Sequence, residues 1–308
     1  MKNSEKWLAE LGYSPDDQQT VSKSTFEDGG SYRIEIPSTE TVACMKSALR
    51  EADVIGCPIH RFSEGSGIQL MSDHEIREMA RIGADRGIEV TLFTTPRASY
   101  DTGGTWSAPG GQVIQWQVRG SRQLRYSLDD IFRALDLGIR SFLLADLGLI
   151  KVVNELRKKE IIPAKTVIKA SAVMAPANEV SAEILEGLGA NSINMATDLS
   201  VAQLSTVRKR LEKASIDMYM EAPDGLGGFV RHHDTPDFIR YAAPVYVKIG
   251  LRNFPNVYPA GQHHHALLEQ MGIEKVRRSK MVLDLVQREY PEAVMSEVGV
   301  PKRGVPEV

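Results

Sequence analysis

The sequence predicts an eight-stranded α/β barrel, and three observations carry that reading. Eight short apolar or alternating runs recur along the chain, at 32–37, 58–62, 90–93, 141–145, 167–172, 192–196, 217–221 and 245–251. Segments with apolar residues at helical spacing separate most of them. The 308 residues accommodate such a barrel, which typically takes about 250. A doubly wound open sheet is the alternative topology. No Gly-x-Gly-x-x-Gly follows an early strand, which weakens a nucleotide-binding version of it.

The clearest repeat unit lies within 189–228. Residues 192–196 (SINMA) read as a strand, and Ser200 with Gln203 forms a capping box for the helix that follows. Val201, Leu204, Val207 and Leu211 give that helix one apolar face, and 217–221 (DMYME) returns as a strand ending at Pro223-Asp224-Gly225. Strand, crossover helix and strand make a right-handed parallel unit.

The other elements follow in order. Residues 1–30 read as a prefix, with Trp7, Leu8 and Leu11 on one side of a short helix. After the first strand, 39–53 is a helix. Ser72 and Glu75 form a second capping box, ahead of the apolar face Ile76, Met79, Ala80 and Ile82. The barrel spans 31–290 and is interrupted at 98–126, a stretch without helical period that contains Gly103-Gly104, Gly110-Gly111 and an alternating run at 113–118. An excursion of this length is a lid or binding loop, or else an oligomer contact. Helices are expected at 127–137, 147–159 and 180–188. Thr235-Pro236 starts a short one through Ala242, and two more cover 262–271 and 273–290. Residues 291–308 contain three prolines and read as a loose tail.

Composition bounds the function. With 42% hydrophobic and 25% charged residues, the chain reads as an ordinary globular protein. A net charge of −3 argues against a nucleic-acid platform. Two cysteines, Cys44 and Cys57, cannot supply four thiolates, so no iron–sulfur cluster is expected within one chain. Neither a signal-peptide core nor a membrane-length apolar run is present, so the expected location is the cytoplasm.

In a barrel, chemistry gathers at the carboxyl ends of the strands. Glu35, Lys169, Glu221 and Lys248 interrupt otherwise apolar strand runs and form the candidate catalytic set. A charge there needs a partner or a wet cavity. The functional reading is a pocket whose carboxylates and lysines have pKa values drawn toward neutrality, including a lysine able to form a Schiff base. The structural reading is two buried ion pairs, such as Glu35 with Lys248 across the seam of the first and last strands. Candidate substrate contacts are His60, Arg61, Glu64, Arg97, Trp106, Asn194, Thr197, Asp224, His232, His233 and Arg252. Of these, Arg61, Arg97 and Arg252 have the fork geometry that orients an anion.

Two histidine groups, His232-His233 and His263-His264-His265, carry ligand types for a divalent metal but no recognised spacing, so no metal ligand is assigned. No Gly-x-Ser-x-Gly elbow occurs, which disfavours a conventional serine hydrolase. Cys44 falls in an amphipathic helix and Cys57 at the wrong end of a barrel for catalysis.

The segment LGANSINMATDLSVAQL, with the strand at 216–220, resembles a recurring segment of the collagenase-like "U-thirty-two" peptidase family. The resemblance covers about 120–255. It implies a TIM-type barrel and a peptidase label, with relatives in RNA modification and quinone hydroxylation. Many members hold an iron–sulfur cluster on four cysteines after the strand matched by 217–221. Here that region reads APDGLGGFVRHHD and has none, so neither cluster chemistry nor any individual family residue is carried over. The expectation is a barrel enzyme that hydrolyses a peptide, an amide or another small polar anionic substrate. An acid–base lyase or isomerase using Glu and Lys is the first alternative, and a non-catalytic or RNA-modification accessory protein the second. The expected partner is a small molecule or peptide, not nucleic acid or membrane, with a homo-oligomer possible.

Overall fold

In a computed structural model, which describes residues 3–100, 115–253, 255–299 and 303–308, eight parallel strands close into a barrel in sequence order. The strands are β1 (Tyr32–Pro37), β2 (Arg61–Ser63), β3 (Glu89–Phe93), β4 (Ser141–Leu144), β5 (Val167–Ala170), β6 (Ser192–Asn194), β7 (Ser215–Glu221) and β8 (Val245–Ile249). β8 pairs with β1 and sets Lys248 beside Glu35, which closes the cylinder. The open-sheet alternative is excluded.

Helices alternate with strands: α1 (Asn3–Glu10), α2 (Val42–Ile55), α3 (Asp73–Arg86), α4 (Gly120–Asp136), α5 (Leu147–Lys158), α6 (Glu179–Leu188), α7 (Val201–Arg210), α8 (Thr235–Ala242) and α9 (His265–Glu289). Both expected capping boxes form, at Ser72–Glu75 and Ser200–Gln203, and Asn178–Ser181 adds a third. Gly189 ends α6 at φ 112, where a Cβ would lie 2.2 Å from the Asn154 side chain. The two expected C-terminal helices are one. The residue between them, Gly272, sits where α9 crosses α2, and a Cβ there would come within 3.0 Å of Cys44 Sγ. Its glycine serves close packing, not a break.

Strand side chains alternate, and this alternation positions the site. Ile34, Ile36, Phe62, Leu92, Phe142, Ile168, Ile193, Ile216, Met218, Val247 and Ile249 join one apolar core with the helix faces. The residues between them, among them Glu35, Arg61, Thr91, Ser141, Lys169, Ser192, Asp217 and Lys248, are buried and polar. The apolar layer therefore lies between barrel and helices, while the lumen is polar. Barrels of this type usually fill the lumen with branched aliphatic residues.

The termini pack against this frame. Backbone amides of Ser14, Gln18 and Thr20 donate to Glu179, Thr206 and Ser205, so the prefix runs along α6 and α7. The segment expected to be a loose tail crosses the amino-terminal end of the barrel. Ser31 N donates to Val294 O, Ser296 N to Tyr32 O, and Glu307 N to Gly138 O. Of the 98–126 excursion, residues 101–114, including Trp106 and the glycine pairs, lie outside the described residues. Ala98 N donates to Gln117 O and Ser99 N to Gln115 O, which brings its two ends together. α4 begins at Gly120, seven residues before the expected start at 127, so the helix absorbs the end of the excursion.

Candidate active site

Register and contacts order the lumenal side chains into layers supplied by alternate strands. Arg33, Glu89 and Ser215 lie lowest, and Arg61, Ser141, Ser192 and Tyr246 form the layer above. Above them lie Glu35, Thr91, Lys169 and Asp217, and above those Ser63, Leu143, Asn194 and Lys248. Leu143 in the upper layer is only half-buried, so that layer is not sealed from the carboxyl-terminal mouth.

Glu35 is the hub. Its Oε1 accepts from Lys169 Nζ at 2.5 Å and from Ser63 Oγ at 2.9 Å, and lies 3.3 Å from Lys248 Nζ. Its Oε2 accepts from Arg61 at 3.1 Å. Arg61 also donates to Asp217 at 3.0 Å and to Ser192, its Nε lies 2.8 Å from Glu89, and its guanidinium stacks on Tyr246 at 3.4 Å. Lys169 lies 3.3 Å from Asp217 and donates to Ser63 Oγ at 3.1 Å. Lys248 donates to Asn194 Oδ1 and faces the Tyr219 ring at 4.2 Å. Three cations thus meet three carboxylates, Glu35, Glu89 and Asp217, in a space removed from water.

The pKa directions follow from this crowding. Burial would raise Glu35, but Lys169, Lys248 and Arg61 outweigh it and hold the carboxyl well below its usual range. The expectation that the carboxylate would drift toward neutrality is corrected. For Lys169, burial is the largest influence. Glu35 opposes it, the neighbouring Lys248 charge adds to it, and the amine falls to about 8.

The structure brings Glu35, Lys169, Lys248, Arg61 and Asn194 together and places other expected residues elsewhere. Glu221 does not meet Lys248. A register irregularity between Tyr219 and Glu221 pairs Glu221 with Ile249, an outward-facing position. Its Oε1 accepts from Arg252 N at 2.7 Å and from Arg278 of α9, and its Oε2 lies 3.3 Å from His232 Nε2. Burial would raise Glu221, yet His232, the Arg252 amide and Arg278 hold it low. His60 precedes β2 at the amino-terminal end. Its Nδ1 accepts from Ile34 N, which leaves the proton on Nε2 to donate to Ser296 O of the tail. It is a brace remote from the mouth, because β2 starts three residues later than expected.

Arg97 lies between the Phe93 and Trp116 rings and donates to Gly65 O. Glu64 follows β2 and accepts from the Gly67 and Phe93 amides. Burial, then the nearby Glu40 carboxylate, pushes its pKa well above the usual range. Thr197 donates to Leu226 O at 2.7 Å. Asp224 and Arg252 approach to 3.7 Å in solvent, and His233 is exposed. Among the described residues no three His, Cys, Asp or Glu side chains converge as metal ligands, and no helix is long and apolar enough to cross a membrane.

Sequence reasoning did not single out Asp217, Glu89, Ser63, Ser192, Tyr219 or Tyr246. The period-two alternation of SIDMYME and VYVKI carries the signal for several of them: Asp217 and Tyr219 share one face of β7, and Tyr246 and Lys248 one face of β8.

No family model and no curated protein matches the chain. Solved structures do. The U32 peptidase Mk0906 is 15% identical, with a TM-score of 0.43 over 77% of this chain and 100% of that one. A putative lyase/mutase from Burkholderia cenocepacia J2315 is 10% identical, with a TM-score of 0.44 over 87% and 85%. A truncated 3-deoxy-D-arabino-heptulosonate 7-phosphate synthase from Thermotoga maritima is 12% identical, with a TM-score of 0.42 over 90% and 95%. The barrel implied by the family resemblance is the fold of this chain, but matches this distant carry neither membership of that family nor an activity.

Proposed function

We propose that the chain is an acid–base enzyme of the lyase or isomerase type, working on a small carbonyl compound through the lumenal lysine pair. One observation carries the reading: Lys169 and Lys248 direct their amines at the same oxygen of Glu35, at 2.5 and 3.3 Å. Burial, with the adjacent Lys248 charge, lowers the Lys169 amine to about 8, which makes its ammonium the readier proton donor beside Lys248. Lys248 lies one layer nearer the mouth and is the amine that meets substrate. Its nitrogen adds to the carbonyl carbon, and the oxygen leaves as water, taking one proton from that nitrogen and one from the Lys169 ammonium through Glu35. The resulting imine withdraws electrons from the adjacent bond. Lys169 and Glu35 hold and return the proton; Asn194 orients Lys248.

Borohydride trapping tests this. Incubation with pyruvate and other 2-oxo acids, then reduction, should leave a covalent adduct on Lys248 that Lys248→Met abolishes. A panel that yields no adduct at any pH would remove the reading.

Hydrolysis, the label the resemblance supplies, has one observation in its favour: Ser63 Oγ lies 3.1 Å from Lys169 Nζ, a serine–lysine arrangement. Labelling of Ser63 by a sulfonyl fluoride, with no lysine adduct, would support that reading instead.

A further inference from the structure

A cavity of about 370 Å³ opens at the carboxyl-terminal rim above β5, β6 and β7. Its wall on the barrel side is made of small residues: Ala172 and Ala175 after β5, and Ala196 after β6. Leu226, Gly227 and Phe229 of the loop after β7 face them.

The walls are braced. Thr197 Oγ1 donates to Leu226 O and Ala196 N to Pro176 O at 2.9 Å, which ties the three loops to one another, and Ala222 N donates to Phe229 O at 3.0 Å within the loop after β7. Ala175 keeps φ 44, a conformation awkward for a residue with a side chain, at the cavity wall. The hydroxyl of Thr197 is committed to Leu226, and the other polar side chain at the rim, Asp198, is exposed and would repel an anion. The floor continues as an apolar patch in which Ala172 and Ala222 pack with Tyr219, whose ring also lies 4.2 Å from Lys248 Nζ.

We infer that this cavity is a specificity subsite that takes a small uncharged apolar group of the substrate, a branched aliphatic chain or a single ring, with Tyr219 bordering both its floor and the lumenal amine. The inference rests on the proposed carbonyl chemistry for its substrate class, but the subsite is defined by its own walls. The substrate is then a carbonyl compound with a compact apolar tail, and a bare two- or three-carbon acid leaves the subsite empty.

The experiment uses probes that cannot form an imine. Binding of 4-methylpentanoate and of acetate to the full chain is followed by titration, with saturation transfer reporting which protons touch the protein. The isobutyl end should receive saturation from the protein, and Ala196→Leu, which fills the cavity, should weaken 4-methylpentanoate by roughly tenfold or more, from the loss of several buried carbons, while leaving acetate unchanged. Phe229→Ala, on the opposite wall, should weaken the same probe without help from any change at Ala196, and covers the case in which the leucine variant fails to fold. Equal binding of the two probes, or variants that leave the preference intact, would overturn the subsite. If 4-methylpentanoate binds as expected while 4-methyl-2-oxopentanoate never yields a reduced adduct, the subsite stands and the lysine chemistry falls.

Discussion

Lys169 and Lys248, from β5 and β8, share one oxygen of Glu35, from β1, at 2.5 and 3.3 Å. Burial weakens the hold of Lys169 on its proton; Glu35 and Asp217 oppose this, and the neighbouring Lys248 charge adds to it. Lys169 falls to about 8, mainly through burial. Trapping by borohydride needs the imine. Because the Lys169 ammonium supplies a proton to the leaving oxygen, the rate should fall as the pH rises through about 8 and the ammonium is lost. A flat profile over the same range would contradict the role given to the pair.

The same shift has a sign in stability. A lysine whose folded value lies below its ordinary 10.5 binds its proton more weakly in the native state than in the unfolded chain. Stability from this group therefore rises as the pH climbs from about 8 to 10.5, and is unaffected by it below that window. Denaturation of wild type and Lys169→Met across these pH values isolates the contribution: the wild type should gain on the variant as pH rises.

Glu35→Gln removes the charge common to Lys169, Lys248 and Arg61. Breaking a buried ion network by removing one partner costs about 3–5 kcal/mol, and that loss is expected in urea denaturation. Pairing it with Lys169→Met should recover part of the loss, since one orphaned cation disappears. A single variant within about 1 kcal/mol of wild type would mean that water enters the lumen and screens it.

Glu221 joins β7 to three other segments through Arg252 N, Arg278 and His232. Glu221→Gln should lower stability by about 1.5–3 kcal/mol, the usual worth of hydrogen bonds to a charged group. Lysine trapping should survive it. Loss of trapping by ~100-fold with stability unchanged would return Glu221 to the candidate catalytic set, with the usual worth of a general base.

The barrel was legible because strand runs and capping boxes are local patterns: Ser72–Glu75 and Ser200–Gln203 can be read without knowing the fold. The meeting of Glu35 with Lys169 and Lys248 was legible in part, since charges inside apolar strand runs must find partners somewhere. Glu221 was misplaced because a one-residue irregularity after Tyr219 turns its side chain to the other face, and such an irregularity leaves no mark on residue types. His60 was misplaced by three residues of strand boundary, enough to exchange one end of a barrel for the other. Asp217 was read as a strand start, although its spacing from Tyr219 already put it in the lumen.

The most direct test of the shared-oxygen pair is an NMR titration of lysine 13Cε signals, assigned with Lys169→Met and Lys248→Met. One signal of the pair should titrate at about 8 and shift upward when the other lysine is removed. Two lumenal lysines that both titrate at the ordinary value of 10.5, each indifferent to loss of the other, would contradict the account.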